Sequence, residues 1–213
     1  MNKLAAIAVF LSLGLTVPAH ATVWTFTGSG SSEASPLSFT SGGITITATG
    51  YNNSPFGSTN LSQNLNGLGI ADTSGEITDT SFIVLNLTNI IGTPTLSLSV
   101  YGANTSNEYN VYESNSAPSG PPNGSGSGFT TLSANDASST FVFTKSSTEN
   151  YIAIEVPAGA STSSVELNSL TTVAPEPGYY GLLSLGLAGL GFAAFRRRPR
   201  LVADSTADPS TAV

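Results

Sequence analysis

The chain has 213 residues with 13 acidic side chains against six Lys and Arg, one histidine and no cysteine, for a net charge of −7. The lack of cysteine excludes disulfides, thiolate catalysis and cysteine-held metals, so an exported form must be stabilised by its core alone. Between residues 22 and 172 ten acids stand against Lys145, a net charge of −9, which excludes binding to nucleic acid by phosphate neutralisation.

At the N-terminus Lys3 precedes an apolar run from Leu4 to Val17, followed by Ala19-His20-Ala21. A positive start, an apolar segment and small residues at an A-x-A site describe a signal peptide over residues 1–21, with Ala19 and Ala21 read by signal peptidase. His20 is the only histidine and leaves with that segment. The remaining chain then holds neither imidazole nor thiol, which excludes Ser-His-Asp hydrolases, cysteine proteases and zinc enzymes.

Residues 22–172 suffice for one domain with its own core. Alternation of apolar with Ser, Thr or Glu predicts half-buried strands at Trp24–Phe26, Ile44–Thr47, Leu96–Val100, Phe141–Phe143, Ile152–Val156 and Val165–Leu167. Phe82–Leu87 is nearly continuously apolar, which predicts a strand covered on both faces, and Tyr109–Tyr112 is a further strand. Turns are expected at Gly28-Ser29-Gly30, Gly42-Gly43, Asn52–Pro55, Gly92–Pro94 and Asn123-Gly124. Leu61, Leu65 and Leu68 stand at helical spacing and predict a turn or two of helix, whereas the Pro/Gly/Ser-rich segment 116–128 reads as a mobile loop. Short strands without a long helical pattern define an all-β fold, an antiparallel β-sandwich of jelly-roll type.

Three sets of residues could carry binding chemistry. Asp72, Glu76 and Asp79 fall close together beside Gly-containing turns, and oxygen ligands of that kind suit a structural Ca²⁺. Otherwise no cofactor is expected. Tyr101, Tyr109 and Tyr112 could stack on sugar rings, although opposite strand parity at 109 and 112 would equally put one ring in the core and the other on the surface. Glu108 and Glu113 also differ in parity, which argues against a paired-carboxylate glycosidase.

Beyond the strands comes Pro175-Glu176-Pro177, then Gly178–Phe195 without a charge, then Arg196-Arg197-Arg198. Eighteen residues of helix at about 1.5 Å rise reach roughly 27 Å, just enough to span a bilayer, and the arginines mark its cytoplasmic side. This block resembles the PEP-CTERM sorting signal of Gram-negative bacteria. The resemblance implies recognition of Pro175, Glu176, Pro177 and the basic cluster Arg196, Arg197 and Arg198 by an exosortase, a membrane-embedded cysteine protease-transpeptidase. A plain type I membrane anchor remains the alternative.

The order Ser38–Thr47, Gly67-Leu68-Gly69-Ile70, Glu76-Ile77 and then a hydrophobic strand is similar to ectodomains of PEP-CTERM proteins, which look like lectin-like or carbohydrate-binding-module-like sandwiches. The expected organisation is signal peptide 1–21, β-sandwich 22–172, linker 173–177 with the sorting motif, transmembrane helix 178–195, and basic cluster with a short cytoplasmic tail 196–213. The expected protein is non-enzymatic and exported, an inner-membrane intermediate that becomes a cell-surface or extracellular protein. Exopolysaccharide is a candidate partner, and a carbohydrate-binding module is the alternative reading.

Overall fold

A computed structural model of the chain describes residues 21–29, 31–33, 35–160, 163–173 and Gly186. The described fold belongs to the compact unit His20–Ala174; the other unit, Met1–Ala19 with Pro175–Val213, lies outside the described residues except for Gly186. The signal peptide, sorting motif, transmembrane helix and basic cluster expected from the sequence therefore lie outside them, Ala21 and Gly186 apart. Among the described residues, no helix is long and apolar enough to cross a membrane.

Strands dominate the unit. The first seven are β1 (Val23–Thr25), β2 (Ser31–Glu33), β3 (Leu37–Ser41), β4 (Ile44–Asn53), β5 (Phe56–Thr59), β6 (Leu61–Gln63) and β7 (Leu68–Ile70). After a single 3₁₀ turn at Ala71–Thr73 come β8 (Ser81–Asn86), β9 (Thr95–Tyr101), β10 (Tyr109–Ser114), β11 (Thr130–Asp136), β12 (Thr140–Thr144), β13 (Tyr151–Glu155) and β14 (Glu166–Thr172). They form two antiparallel sheets. The first runs β12-β9-β14-β7-β6-β2, with β1 also on β14, and the second runs β11-β10-β13-β8-β4-β3, with β5 also on β4.

The principal core draws on both sheets. Trp24, Leu61, Leu68, Leu96, Leu98, Val100, Leu167 and Leu170 come from the first, and Ile46, Ile83, Leu85, Tyr109, Val111, Ile152 and Ile154 from the second. Period-two alternation produces this: in β9 Leu96, Leu98 and Val100 are buried, while Thr95, Ser97 and Ser99 are only half-buried on the opposite face. The fold is all-β and sandwich-like.

β8 is covered on both faces, as its continuous apolar run predicts. Ile83 and Leu85 enter the principal core, whereas Phe82 and Val84 join Tyr112 and Ala153 in a second cluster on the opposite face, packed by Tyr51, Phe129 and Tyr151. Phe129 directly follows the 116–128 segment, which the sequence reads as a mobile loop and which is a loop between β10 and β11; turns within it are closed by Gly124 N donating to Pro121 O at 2.9 Å and the buried Ser127 hydroxyl donating to Pro122 O at 3.0 Å.

The helical spacing of Leu61, Leu65 and Leu68 has a different origin. β6 and β7 form a hairpin in which Leu61 pairs with Ile70 and Gln63 with Leu68, closed by Asn64 N donating to Gly67 O at 2.9 Å. Leu61 and Leu68 are fully buried while Leu65, at the tip, is 85% exposed. The three leucines never share a face.

Candidate functional site

The residues expected from the sequence to bind ligands are not gathered in one place. Asp72 sits in the 3₁₀ turn and accepts a hydrogen bond from the Thr59 hydroxyl at 2.6 Å. Asp79 offers its backbone carbonyl to the Asn53 amide at 3.1 Å. Glu76 lies in an isolated bridge with Ile70 beside the first sheet. Among the described residues no group of three or more His, Cys, Asp and Glu side chains is placed to hold a metal ion. Asp72, Glu76 and Asp79 are thus not drawn into a common cage, because the turn and the bridge send their chain segments to different strands.

The three tyrosines are likewise dispersed. Tyr109 is fully buried in the principal core, its hydroxyl donating to Ser138 O at 2.8 Å, and burial first and Asp136 second push its pKa up. Tyr112 lies on the opposite face of β10, in the second cluster. Tyr101 ends β9 in the other sheet and is half-exposed. An aromatic group does form elsewhere: Tyr51, Phe56 and Phe82 have nearly parallel rings, with Tyr51 and Phe56 centroids 5.5 Å apart at 1° and Tyr51 and Phe82 5.1 Å apart at 13°. Cross-strand pairing explains it, since Tyr51 is directly opposite Phe82 and Phe56 is opposite Asn53, two residues further along β4.

Beside this aromatic group is a buried polar site. Glu155 ends β13 opposite Phe82 and Asn110 and is fully buried. Its Oε1 accepts from Asn53 Nδ2 at 2.9 Å and from Asn123 Nδ2 at 3.1 Å, so the 116–128 segment is tied to the sheet through this carboxyl. Asn53 also donates to Asp79 O. Glu155 Oε2 and Asn53 Oδ1 are both buried with no hydrogen-bond partner among the described residues. Burial pushes the Glu155 pKa up to about 7, and hydrogen bonding from Asn53 and Tyr112 only partly opposes this. A proton on Oε2 would let it donate to Asn53 Oδ1, closing a two-bond ring between acid and amide and satisfying both orphaned atoms.

A second buried carboxyl lies in the other sheet. Glu166 on β14 is 4% exposed; its Oε1 accepts from Asn64 Nδ2, and its Oε2 has no partner among the described residues. Burial raises its pKa, Asn64 lowers it, and the nearby Glu76 raises it again. Glu155 and Glu166 belong to different sheets and do not form a pair. Sequence reading passes over both because each follows strand alternation as an outward polar residue. The available signal was in their neighbours: Tyr151 and Ala153 share the outward face with Glu155, and apolar residues there imply a cover.

No protein-family model, curated protein or solved structure matches the chain.

Proposed function

We propose that this is a non-enzymatic exported protein of the cell surface or extracellular matrix, sorted and processed through a PEP-CTERM-like signal. In this reading the sandwich has jelly-roll topology, residues 178–195 span the inner membrane as a helix in an intermediate, and signal peptidase and an exosortase act in turn. The observation that carries it is the order of Pro175-Glu176-Pro177, an uncharged run and Arg196-Arg197-Arg198, beginning one residue after the compact unit ends at Ala174. In sequence the tripeptide lies beyond the last strand, β14 (Glu166–Thr172), so its recognition would involve no residue of the sheets.

Replacing Pro175, Glu176 and Pro177 together by alanine tests it. Export and insertion should persist, because the apolar run and arginines that direct them are untouched, while a longer membrane-bound species accumulates in the native host. Equal, full-length, membrane-retained protein from wild type and variant would replace this reading with a plain membrane anchor.

A carbohydrate-binding role is the second reading, supported by the parallel Tyr51 and Phe56 rings. Phe56 is 39% exposed and its ring lies parallel to that of Tyr51, an apolar aromatic surface suited to stacking on a sugar. Exopolysaccharide binding lost on Phe56→Ala but kept on Tyr101→Phe would support it.

A further inference from the structure

β12 ends the first sheet, and its register against β9 fixes where its backbone groups point. Val100 N donates to Ser139 O at 2.9 Å and Lys145 N to Pro94 O at 3.0 Å, both in the register that sets Phe141 opposite Leu98 and Phe143 opposite Leu96. Hydrogen-bonded pairs alternate along an antiparallel ladder, so Ser139, Phe141, Phe143 and Lys145 bond toward β9, while the N–H and C=O of Thr140, Val142 and Thr144 point away from it. Thr140 is satisfied locally. Its N donates to Ser138 Oγ at 3.2 Å, and the Ser138 hydroxyl donates to its carbonyl at 2.8 Å. Val142 and Thr144 are exposed, and their backbone N–H and C=O groups have no partner among the described residues.

Nothing at this edge keeps another strand away, although sheet ends are commonly protected by charge, bulges or cover. Of the other end strands, β2 is three residues long and includes Glu33, β11 carries Asp136 and two register shifts, and β3 lies against β1, with the Phe26 and Phe39 rings 4.8 Å apart. β12 reads Thr140-Phe141-Val142-Phe143-Thr144, without a charge and rich in β-branched and aromatic residues. Lys145, which follows it, is 3% exposed, and its Nζ donates to Ser146 O and Asn150 Oδ1, so its ammonium does not guard the edge. The outward side chain at the middle of the strand is Val142, 56% exposed.

We propose that two copies of this chain pair through β12, antiparallel and about a two-fold axis at Phe143, joining their first sheets into one. That register sets Val142 of each copy opposite Thr144 of the other. Each such pair exchanges both backbone hydrogen bonds, so every open N–H and C=O of the two residues is satisfied in both copies. Thr140 stays outside the ladder, as its Ser138 cap requires, whereas an axis at Val142 would oppose Thr144 to that capped residue. Phe143 meets its own copy as a non-hydrogen-bonded pair, in which side chains stand closest, and the stacked Phe141 and Phe143 rings, 5.6 Å apart, continue across the axis. Charge favours this edge over other surfaces. Residues 22–172 carry −9, so copies repel one another, and an uncharged end strand is where their approach costs least. Addition of a strand is the recognition an open sheet edge offers, and a two-fold axis closes the assembly at two copies. One strand pair is a small interface, in the weak class below about 1,200 Å² of buried surface. It forms where chains are concentrated, and because like charge opposes it, it tightens as salt is raised.

The chain has no cysteine, so single introduced thiols report the register. Opposed residues of a hydrogen-bonded antiparallel pair have Cα atoms about 5.5 Å apart, within disulfide reach, whereas Val142 and its own copy are offset by two residues and lie beyond it. Full-length Val142→Cys and Thr144→Cys proteins, mixed in mild detergent and oxidised, should give a disulfide-linked dimer in severalfold higher yield than either protein alone. Thr140→Cys mixed with either should give only the background yield. In light scattering, wild type should rise from the mass of one chain toward two with concentration, at lower concentration when salt is added, and Val142→Pro should stay at one. Proline there removes an N–H that points away from β9, so the fold's own ladder loses no bond, and the thiol experiment does not depend on that variant folding. A single-chain mass at every concentration, or equal disulfide yields from mixed and separate samples, overturns the pairing. A dimer that persists in Val142→Pro without the 142–144 cross-link overturns it too, and assigns association to another surface.

Discussion

Each sheet turns one glutamate away from the core and then covers it. Glu155 on β13 and Glu166 on β14 are both buried, each accepts an asparagine amide at Oε1, and each leaves Oε2 without a donor among the described residues. Their surroundings differ in charge. Glu155 is faced by neutral groups, Asn53, Asn123 and the Tyr112 hydroxyl, and burial is the leading cause of its raised pKa. Glu166 is faced by another carboxylate as well. A proton on Oε2 suits the neutral surroundings of Glu155, whereas at Glu166 the neighbouring carboxylate adds to the effect of burial. Burial makes a carboxylate respond to something, and the charge of its neighbours decides to what.

The largest effect expected from breaking one region while sparing the other is that of Gly69→Ala. The added Cβ meets the Gly75 carbonyl, a backbone atom that cannot rotate away, so the segment bearing Glu76 must move. Overpacking of this kind costs about 3 kcal/mol, a fall in Tm of roughly 6 to 12 °C for a unit of this size. Gly57→Ala in β5 is the matched control. Its Cβ meets nothing, and its melting temperature should change by no more than about 2 °C. Comparable losses in both variants would remove the claim that close backbone approach shapes the first sheet here.

pH separates the two carboxyls next. The Glu155 pKa lies at about 7 in the folded chain, above the ordinary 4.5, so the folded state holds a proton that the unfolded chain releases between those values. Its stabilising contribution is fully present below pH 4.5 and is lost as pH rises through 7, a change of about 3 kcal/mol. Glu155→Gln should flatten that dependence, because an amide nitrogen at the Oε2 position donates to Asn53 Oδ1 at every pH. The check is the difference in Tm between wild type and Glu155→Gln from pH 4.5 to 8. It should widen in favour of the variant as pH rises, and a constant difference would show that Glu155 stays ionised throughout.

Much of the scaffold of both regions is legible in the sequence, because a strand buried on one face must alternate. β4, β9, β13 and β14 are found in this way, and the two-sided burial of β8 follows from its unbroken apolar run. The polar strands β2, β5 and β11 escape because they end their sheets or lie off the main path, where one-sided pairing leaves little apolar patterning. The two carboxyl sites escape for a different reason. Ile154-Glu155-Val156 and Val165-Glu166-Leu167 look like ordinary outward acids, and what buries them is non-local: Asn123 arrives from the β10–β11 connection and Asn64 from the β6–β7 hairpin. A period of two reports which face a residue occupies and carries no information about what later crosses that face.

The finest test of the comparison is Asn123→Ala, which removes one donor from Glu155 and leaves Glu166 untouched. Asn123 is exposed and contributes only its Nδ2 hydrogen bond to Oε1, so little packing is lost with it. When Glu155 is protonated, Oε1 behaves as a neutral carbonyl and the bond is worth about 0.5 kcal/mol, the low end for neutral hydrogen bonds. When Glu155 is ionised, the same bond becomes charge-assisted and roughly twice as strong. The variant should therefore lose about 1 to 2 °C at pH 5 and about 2 to 4 °C at pH 8. Its Glu155 should also take up a proton at higher pH than in wild type, because removing a donor to the carboxylate disfavours the charged form. Carbonyl-region infrared difference spectra against Glu155→Gln would follow that proton directly. An equal Tm loss at both pH values would mean that Asn123 holds the 116–128 segment in place without sensing the charge on Glu155.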